Sequence, residues 1–291
     1  KVLGEVVVTG YTTERKKDLT GAVAVVKMKD VADIPTGNVL SSLQGRVSGM
    51  NVSSDGTPGG GSTSIQVRGL TTMNNSSPLY VVDGMMTRDN IGTILSSGDV
   101  ESIQVLKDAA SAAIYGAQAA NGVIVITTKK GKQGKLKVDF NASSSVQTFS
   151  TGLSLLNASQ WGEVYWQASK YSFGRTPNSV VYGNGATPQL QEYYYDQDGV
   201  RIRTGNTDWA KQVYSSAIMQ NYSLTLSKGS DNHTSSLSIN FIDQDGLVRN
   251  SNYQSVNTRL ASEYKLLDNR LRIGESFSIN RWTHKFHPSG I

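Results

Sequence analysis

The sequence predicts a mixed α+β domain over residues 19–134, followed by long antiparallel strands with one apolar and one polar face. Three observations predict it. Strand-like runs and short helix signals alternate up to Gly131. From about Lys135 a period-2 pattern sets in and recurs to the end of the chain. The composition is also poor for a helical bundle. Charged residues make up 18% of 291, against roughly 25% in an average soluble protein, and 29 residues are glycine. Ser, Thr, Asn and Gln make up the difference, as suits strands with a wet face and many turns.

Residues Glu5-Val6-Val7-Val8-Thr9-Gly10-Tyr11 open the chain with four β-branched residues in a row, which favour extended backbone. The charged stretch Thr12–Asp18 reads as a polar linker. Val23–Met28 is strand-like, and Asn38–Gly45 is a short helix with Leu40 and Leu43 at i, i+3 spacing. Met50–Ser53 and Ser64–Arg68 are strand-like around the glycine-rich loop Asp55–Gly61. Leu79–Val82 is a strand closed by the Asp83-Gly84 turn. Ser102–Lys107 alternates as a strand. Asp108 is a good N-cap for a helix over Ala109–Ala119, which Asn121-Gly122 ends. Val123–Thr128 is the most strand-like segment and belongs at the centre of a sheet.

Beyond Lys135, Val138, Phe140, Ala142, Ser144 and Val146 share one face, and Lys137, Asp139, Asn141, Ser143, Ser145 and Gln147 the other. The same alternation returns over residues 221–227, 236–241, 257–266 and 271–280, with Glu275 as the one violation. Strands of about 9–11 residues with one apolar face are what a transmembrane barrel requires, although a large soluble β-sandwich alternates similarly. The connections lean towards the barrel. Gly229–Thr234 and Asp268-Asn269 are tight, whereas Thr151–Ala217 is long, aromatic-rich and irregular. About five strands are present, and closure takes at least about eight, so the barrel is incomplete.

Several segments resemble, in order, the plug of the SusC/RagA family of TonB-dependent outer-membrane transporters of Bacteroidetes. They are Glu5–Tyr11, Leu19-Thr20-Gly21-Ala22-Val23, Leu43–Val52, Ile65-Gln66-Val67-Arg68-Gly69, Pro78–Gly84, and Asp99–Asp108 continuing through Ala109–Gly122 to Val123–Lys130. Residues beyond 131 match only by pattern. The resemblance implies a coupling peptide (the TonB box) and linker over 1–18, a plug over 19–134, and the first strands of a barrel of about 22 over 135–291. It implies TonB, with ExbB–ExbD, as the energy source and a SusD-like surface lipoprotein as lid. It also allows a dimer of the transporter–lipoprotein pair. The ligand is an oligosaccharide or oligopeptide, the location the outer membrane in contact with lipid, and the plug and TonB box face the periplasm. No cofactor or metal is implied.

Within that frame Glu5, Val6, Val7, Val8, Thr9, Gly10 and Tyr11 are the coupling residues. Arg68, Gly69, Asp83, Gly84, Asp99 and Glu101 form the plug's structural motif. Each of the charged residues sits near a strand end in an apolar setting, where a charge needs a partner. Trp161, Trp166, Tyr193, Tyr194 and Trp209 belong to girdle and loop core, or else contact ligand or lid.

Other chemistry is set aside. Cysteine is absent, which excludes thiol catalysis and Cys-based metal sites. The net charge of +5 lies in short basic runs without interleaved aromatics, so nucleic acid is not the partner. Gly56–Ser62 lacks the Lys-Ser/Thr of a P-loop. Asp196–Gly199 and Asp243–Gly246 lack the first and closing acids of a calcium loop and read as turns. His284 and His287 fall on opposite faces of a strand. No run of 18 apolar residues and no signal peptide is present, and the start reads as a mature or trimmed N-terminus. No catalytic residue is assigned. The rival readings are a soluble carbohydrate-binding or hydrolytic β-protein with an α/β cap, and a surface adhesin. On the barrel reading, arginine at Leu260 or Ile239 should be costly, and at Asn257 cheap.

Overall fold

The computed structural model describes residues 6–9, 12–15, 23–31, 36–61, 63–69, 76–89, 91–92, 94–131, 133–150, 154–268 and 270–285. Glu5, Gly10, Tyr11, residues 16–22, Asn269 and His287 lie outside this set. Residues up to Gln147 together with those from Ser216 form one compact unit, and Thr148–Ser215 form a second.

In the first unit, β1 (Val6–Thr9) pairs antiparallel with β2 (Thr12–Arg15), with Val7 opposite Glu14. The two make a sheet of their own. The expected linker is thus partly strand, because Thr12 and Thr13 are β-branched and tolerate extended backbone as readily as the valines.

The mixed sheet follows. Its strands are β3 (Val23–Lys27), β6 (Leu79–Val82), β7 (Met85–Thr87), β8 (Val100–Leu106) and β9 (Val123–Thr128), in spatial order β3-β8-β9-β6-β7. The apolar strand β9 is central, parallel to β6 and antiparallel to β8. One sheet face packs on Met28, Leu40, Leu43, Val47, Val52 and Ile65. The other packs on Ala112 and Ala119. A separate hairpin joins β4 (Met50–Ser53) to β5 (Ser64–Val67). The helix expected over Ala109–Ala119 is interrupted. Asp108 does cap it, accepting the Ser111 N–H at 2.7 Å, but α1 covers only Ala109–Ala112. A 3-10 stretch continues, broken where Gly116 turns to φ +68°, a conformation an α-helix cannot absorb.

The second sheet is a five-stranded antiparallel meander. It runs β10 (Gly134–Gln147), β13 (Ala217–Gly229), β14 (His233–Asp245), β15 (Asn252–Leu266) and β16 (Leu271–Lys285). Each strand has 13–15 residues, longer than its alternating run in the sequence. The register stacks the outer face into rows. Ala142, Tyr222, Phe241 and Val256 form one, Phe140, Leu224, Ile239 and Ile279 the next, and Val138, Leu226, Leu237, Leu260 and Phe277 a third. A polar row bounds the band on each side: Gln220, Asp243, Gln254 and Thr283, then Lys228, Ser235, Ser262 and Glu275. Glu275 interrupts the apolar face between Phe277 and Ile273, within a polar row, and accepts the Ser262 hydroxyl at 2.7 Å. Lys228 to Gln220 spans about 27 Å along the strand, or about 20 Å along the normal at a barrel tilt of about 40°, close to the roughly 25 Å of outer-membrane barrels.

The second unit, between β10 and β13, is folded rather than irregular. Helix α2 (Ala158–Phe173) starts with a reciprocal capping box between Asn157 and Gln160 and ends at Gly174 in the left-handed conformation. Its buried face carries Gly162 and Trp166. The Trp166 indole N–H donates to the Gly185 carbonyl at 3.0 Å, and its ring meets Tyr182 edge-on. Tyr182 in turn donates to the Ala158 carbonyl at 2.8 Å, and burial raises its phenol pKa. A hairpin of β11 (Tyr193–Tyr195) and β12 (Arg201–Arg203) and the short helix α3 (Trp209–Val213) complete the unit. Asp208 caps α3, and the Lys211 backbone N–H holds its carboxyl below the usual range.

Candidate functional site

The inner face of the long-stranded sheet meets the mixed domain through a ladder of polar contacts. Asp83, in the turn between β6 and β7, is its strongest rung. Its carboxylate accepts the Thr128 N–H at 3.0 Å, the Thr128 hydroxyl at 2.6 Å and the Arg259 guanidinium at 2.7 Å. Arg259 also donates to the Thr128 hydroxyl at 3.0 Å, and only 9% of its side chain is exposed. A charge in mid-strand on the inner face is thereby neutralised, as its burial requires.

No other rung among the described residues is a buried ion pair. Asn240 donates to the Asp99 carboxylate at 2.9 Å. Asn257, directly across from Asn240, donates to the Ile94 carbonyl. Gln244 accepts the Gly59 N–H at 2.9 Å. Lys130 pairs with Glu263 at 3.1 Å near the turn that joins β15 to β16. Glycine lets the backbones close up. A Cβ on Gly131 would lie 2.4 Å from the Ser235 carbonyl, and one on Gly59 2.5 Å from the Tyr253 ring. From Glu263 to Tyr253 the ladder runs about 33 Å along β15.

The interface is not fully satisfied. Asp99 Oδ1, Asn240 Oδ1, Asn257 Oδ1 and Arg259 Nε are buried without a hydrogen-bond partner among the described residues. A gap of about 10 Å³, lined by Gly92, Ser96, Asn240, Tyr253 and Asn257 among others, adjoins the two asparagines, near the lower limit for one water. Among the described residues no cluster of three potential metal ligands exists. The arrangement offers no nucleophile–base pair; it fastens one domain against a wall.

Residues 15–123 match the TonB-dependent receptor plug domain model. Over 87% of its length the chain is 33% identical to the TonB-dependent receptor SusC of Bacteroides thetaiotaomicron, covering 24% of that protein. The chain belongs to the SusC/RagA family of TonB-dependent receptors. It is also 35% identical, over 87% of its length and 22% of the relative's, to TonB-dependent receptor P3 of Formosa agariphila. Among solved structures, the RagAB peptide importer in its open-open state aligns with 97% of this chain and 32% of its own at 28% identity, with a TM-score of 0.75. The chain thus spans about a quarter of the length of the relatives it matches. It comprises the plug and the first barrel strands of an outer-membrane protein.

The expected plug residues divide. Asp83 and Asp99 make the wall contacts described above. Arg68 is exposed and holds φ +60°, with its N–H bonded to the Gly49 carbonyl. Glu101 is exposed on β8. No side-chain partner of either is found among the described residues, so neither joins the ladder. Gly69 and Gly84 both take positive φ, as their turns demand. Of the coupling residues, Val6–Thr9 are β1. Among the aromatics, Trp161, Tyr193 and Trp209 are exposed and Tyr194 is half-buried. Trp166 is 2% exposed, so it anchors the insertion's core and offers no contact surface. Arg259, Asn240, Gln244 and Thr128 were not singled out by the sequence, and Asn257 was read only as a position open to the lumen. Only Arg259 carried a signal, a charge in mid-strand on the inner face.

Proposed function

We propose that the chain is the plug and first wall of a TonB-dependent importer that carries an oligosaccharide or oligopeptide across the outer membrane. The ladder of polar contacts is the observation that carries this reading. It seals a lumen while leaving each rung exchangeable for water. TonB, powered by ExbB–ExbD, grips the segment Glu5–Tyr11 by strand addition, which asks only for extended backbone with free donors. The β1–β2 hairpin stands apart from the plug sheet, so it can be recruited without dismantling that sheet first. A SusD-like lipoprotein closes the outer end, as the family resemblance implies, and that resemblance allows a dimer of the transporter–lipoprotein pair. The exposed Trp161, Tyr193 and Trp209 serve ligand or lid. The relatives are receptors, and catalysis has no part in the proposal.

Val7→Pro tests the coupling. Proline removes the donor at the position opposite Glu14 and blocks strand pairing there. The protein should fold, reach the outer membrane and bind its ligand, while energised uptake stops. Normal growth on the transported nutrient would show that coupling does not pass through this segment.

A further inference from the structure

The β11–β12 hairpin presents a surface that neither the fold nor the plug–wall ladder uses. Its register sets Tyr193 opposite Arg203 and Tyr195 opposite Arg201, so two tyrosines and two arginines share one face. Tyr194 and Ile202, half-buried, take the other. Tyr195 is 63% exposed, and both arginines are exposed. Neither guanidinium makes an ion pair among the described residues. The Arg201 guanidinium carbon lies over the Tyr193 ring, 3.9 Å from its centre. A cation–π contact of this kind holds the guanidinium in place while its N–H groups can still bind an anion.

The hairpin is held in shape independently of any ligand. Asp196 Oδ1 accepts the N–H groups of Asp198 and Val200 at 3.0 and 2.8 Å. Backbone bonds from Asp196 to Val200 and from Thr204 to Glu192 close both ends. We propose that this face captures an anionic saccharide, with Arg201 and Arg203 on a carboxylate or sulfate group and Tyr195 against the sugar ring. The proposal rests on the importer reading above and narrows its ligand class. Size argues against a protein partner. The face is about 7–10 Å long and two strands wide, room for one or two sugar rings, whereas a stable protein interface covers about 800 Å² per side. Charge argues against a neutral sugar, since two unneutralised guanidiniums beside the stacking ring would find no counterpart on it.

The test is calorimetric binding to the full-length transporter in detergent. The probes are a galacturonic acid tetrasaccharide, a sulfated galactose tetrasaccharide and their neutral galactose counterpart. At least one anionic probe should bind about tenfold or more tighter than the neutral one, and more weakly as salt is raised. Whichever binds names the anion. Arg201→Gln with Arg203→Gln should abolish the preference, and Tyr195→Ser should weaken binding of the same probe. Equal affinity for charged and neutral probes, or no effect of salt, overturns the proposal even if the variants fail to fold. So does equally tight binding of a glutamate-rich peptide that is indifferent to Tyr195→Ser. Binding is read on purified protein, so a failure of energised uptake in Val7→Pro or its absence leaves this result intact.

Discussion

Breaking the Asp83–Arg259 contact from either side should give unequal results. Arg259→Met leaves Asp83 one-fifth exposed and still bonded to the Thr128 N–H and hydroxyl, so part of its charge stays solvated. The loss should be about 1.5–2 kcal/mol, the low end for a charge-assisted hydrogen bond. Asp83→Asn keeps the shape and tolerates the native φ of +48°. It strands a guanidinium that is nine-tenths buried and whose Nε already lacks a partner. Removing one member of a fully buried pair costs about 3–5 kcal/mol, and the exposure of Asp83 brings this to about 3. Hydrogen exchange at the Thr128 amide reads the difference directly, because that N–H is bonded to Asp83. Opening should speed up about 15- to 30-fold in Arg259→Met and about 150-fold in Asp83→Asn. The double variant removes the stranded charge and should recover most of the Asp83→Asn loss. Equal effects of the two single variants, or a double variant as impaired as their sum, would refute the argument that a buried, paired charge fastens the plug.

Other outcomes follow from the same structure. Ile239 lies in the central row of the outer band, so Ile239→Arg should cost about 2–4 kcal/mol in lipid, read as folding yield in vesicles. The control cannot be Asn257, which is 6% exposed and bonded to Ile94; Ser276→Arg, exposed on the inner face opposite Ala261, should cost little. Trp166→Ala should cost about 3–5 kcal/mol within the insertion, seen as lost exchange protection over α2 with β13 and β14 unchanged. Burial raises the Tyr80 phenol to about 12 from an ordinary 10. The folded plug therefore holds that proton more tightly, and the stability tied to it, full below pH 10, is lost between about pH 10 and 12, by roughly 2–3 kcal/mol. Tyr80→Phe should flatten that part of the unfolding curve.

Strands and turns were legible because their signals are local. The alternation that placed Leu226, Leu237 and Leu260 on one face needs only neighbouring residues, and Asp83-Gly84 and Asp108 announced a turn and a cap. The ladder was not legible, since Arg259 and Asp83 stand 176 residues apart and only the packing of the β6–β7 turn against β15 brings them together. Asp99 and Asp83 were selected because a charge beside an apolar strand needs a partner. The same logic selected Arg68 and Glu101, which are exposed and have no side-chain partner among the described residues. The broken helix after Ala112 was written in Gly116, hidden within a run of residues that otherwise favour helix. The insertion's order was written in Asn157 and Gln160, whose capping-box spacing went unread among glycines and aromatics.

The incompleteness of the ladder bears on how such a plug can leave its wall. An apolar interface of the same height would lose its buried area to water on opening, at about 25 cal/mol for each Å². The rungs here are mostly amides and carboxylates, and their solvation returns on separation. Four buried polar atoms, on Asp99, Asn240, Asn257 and Arg259, have no partner among the described residues when the plug is seated, so water improves their state when it moves. The contact that resists most is the one fully charged and mostly buried pair, Arg259 with Asp83. Asp83 sits in a turn between two short strands and Arg259 in mid-strand on the wall, so a displacement of that turn opens both charges to water together and avoids leaving either one buried alone. A polar, under-satisfied interface with one strong fastener suits a domain that must block a lumen at rest and move under a modest load.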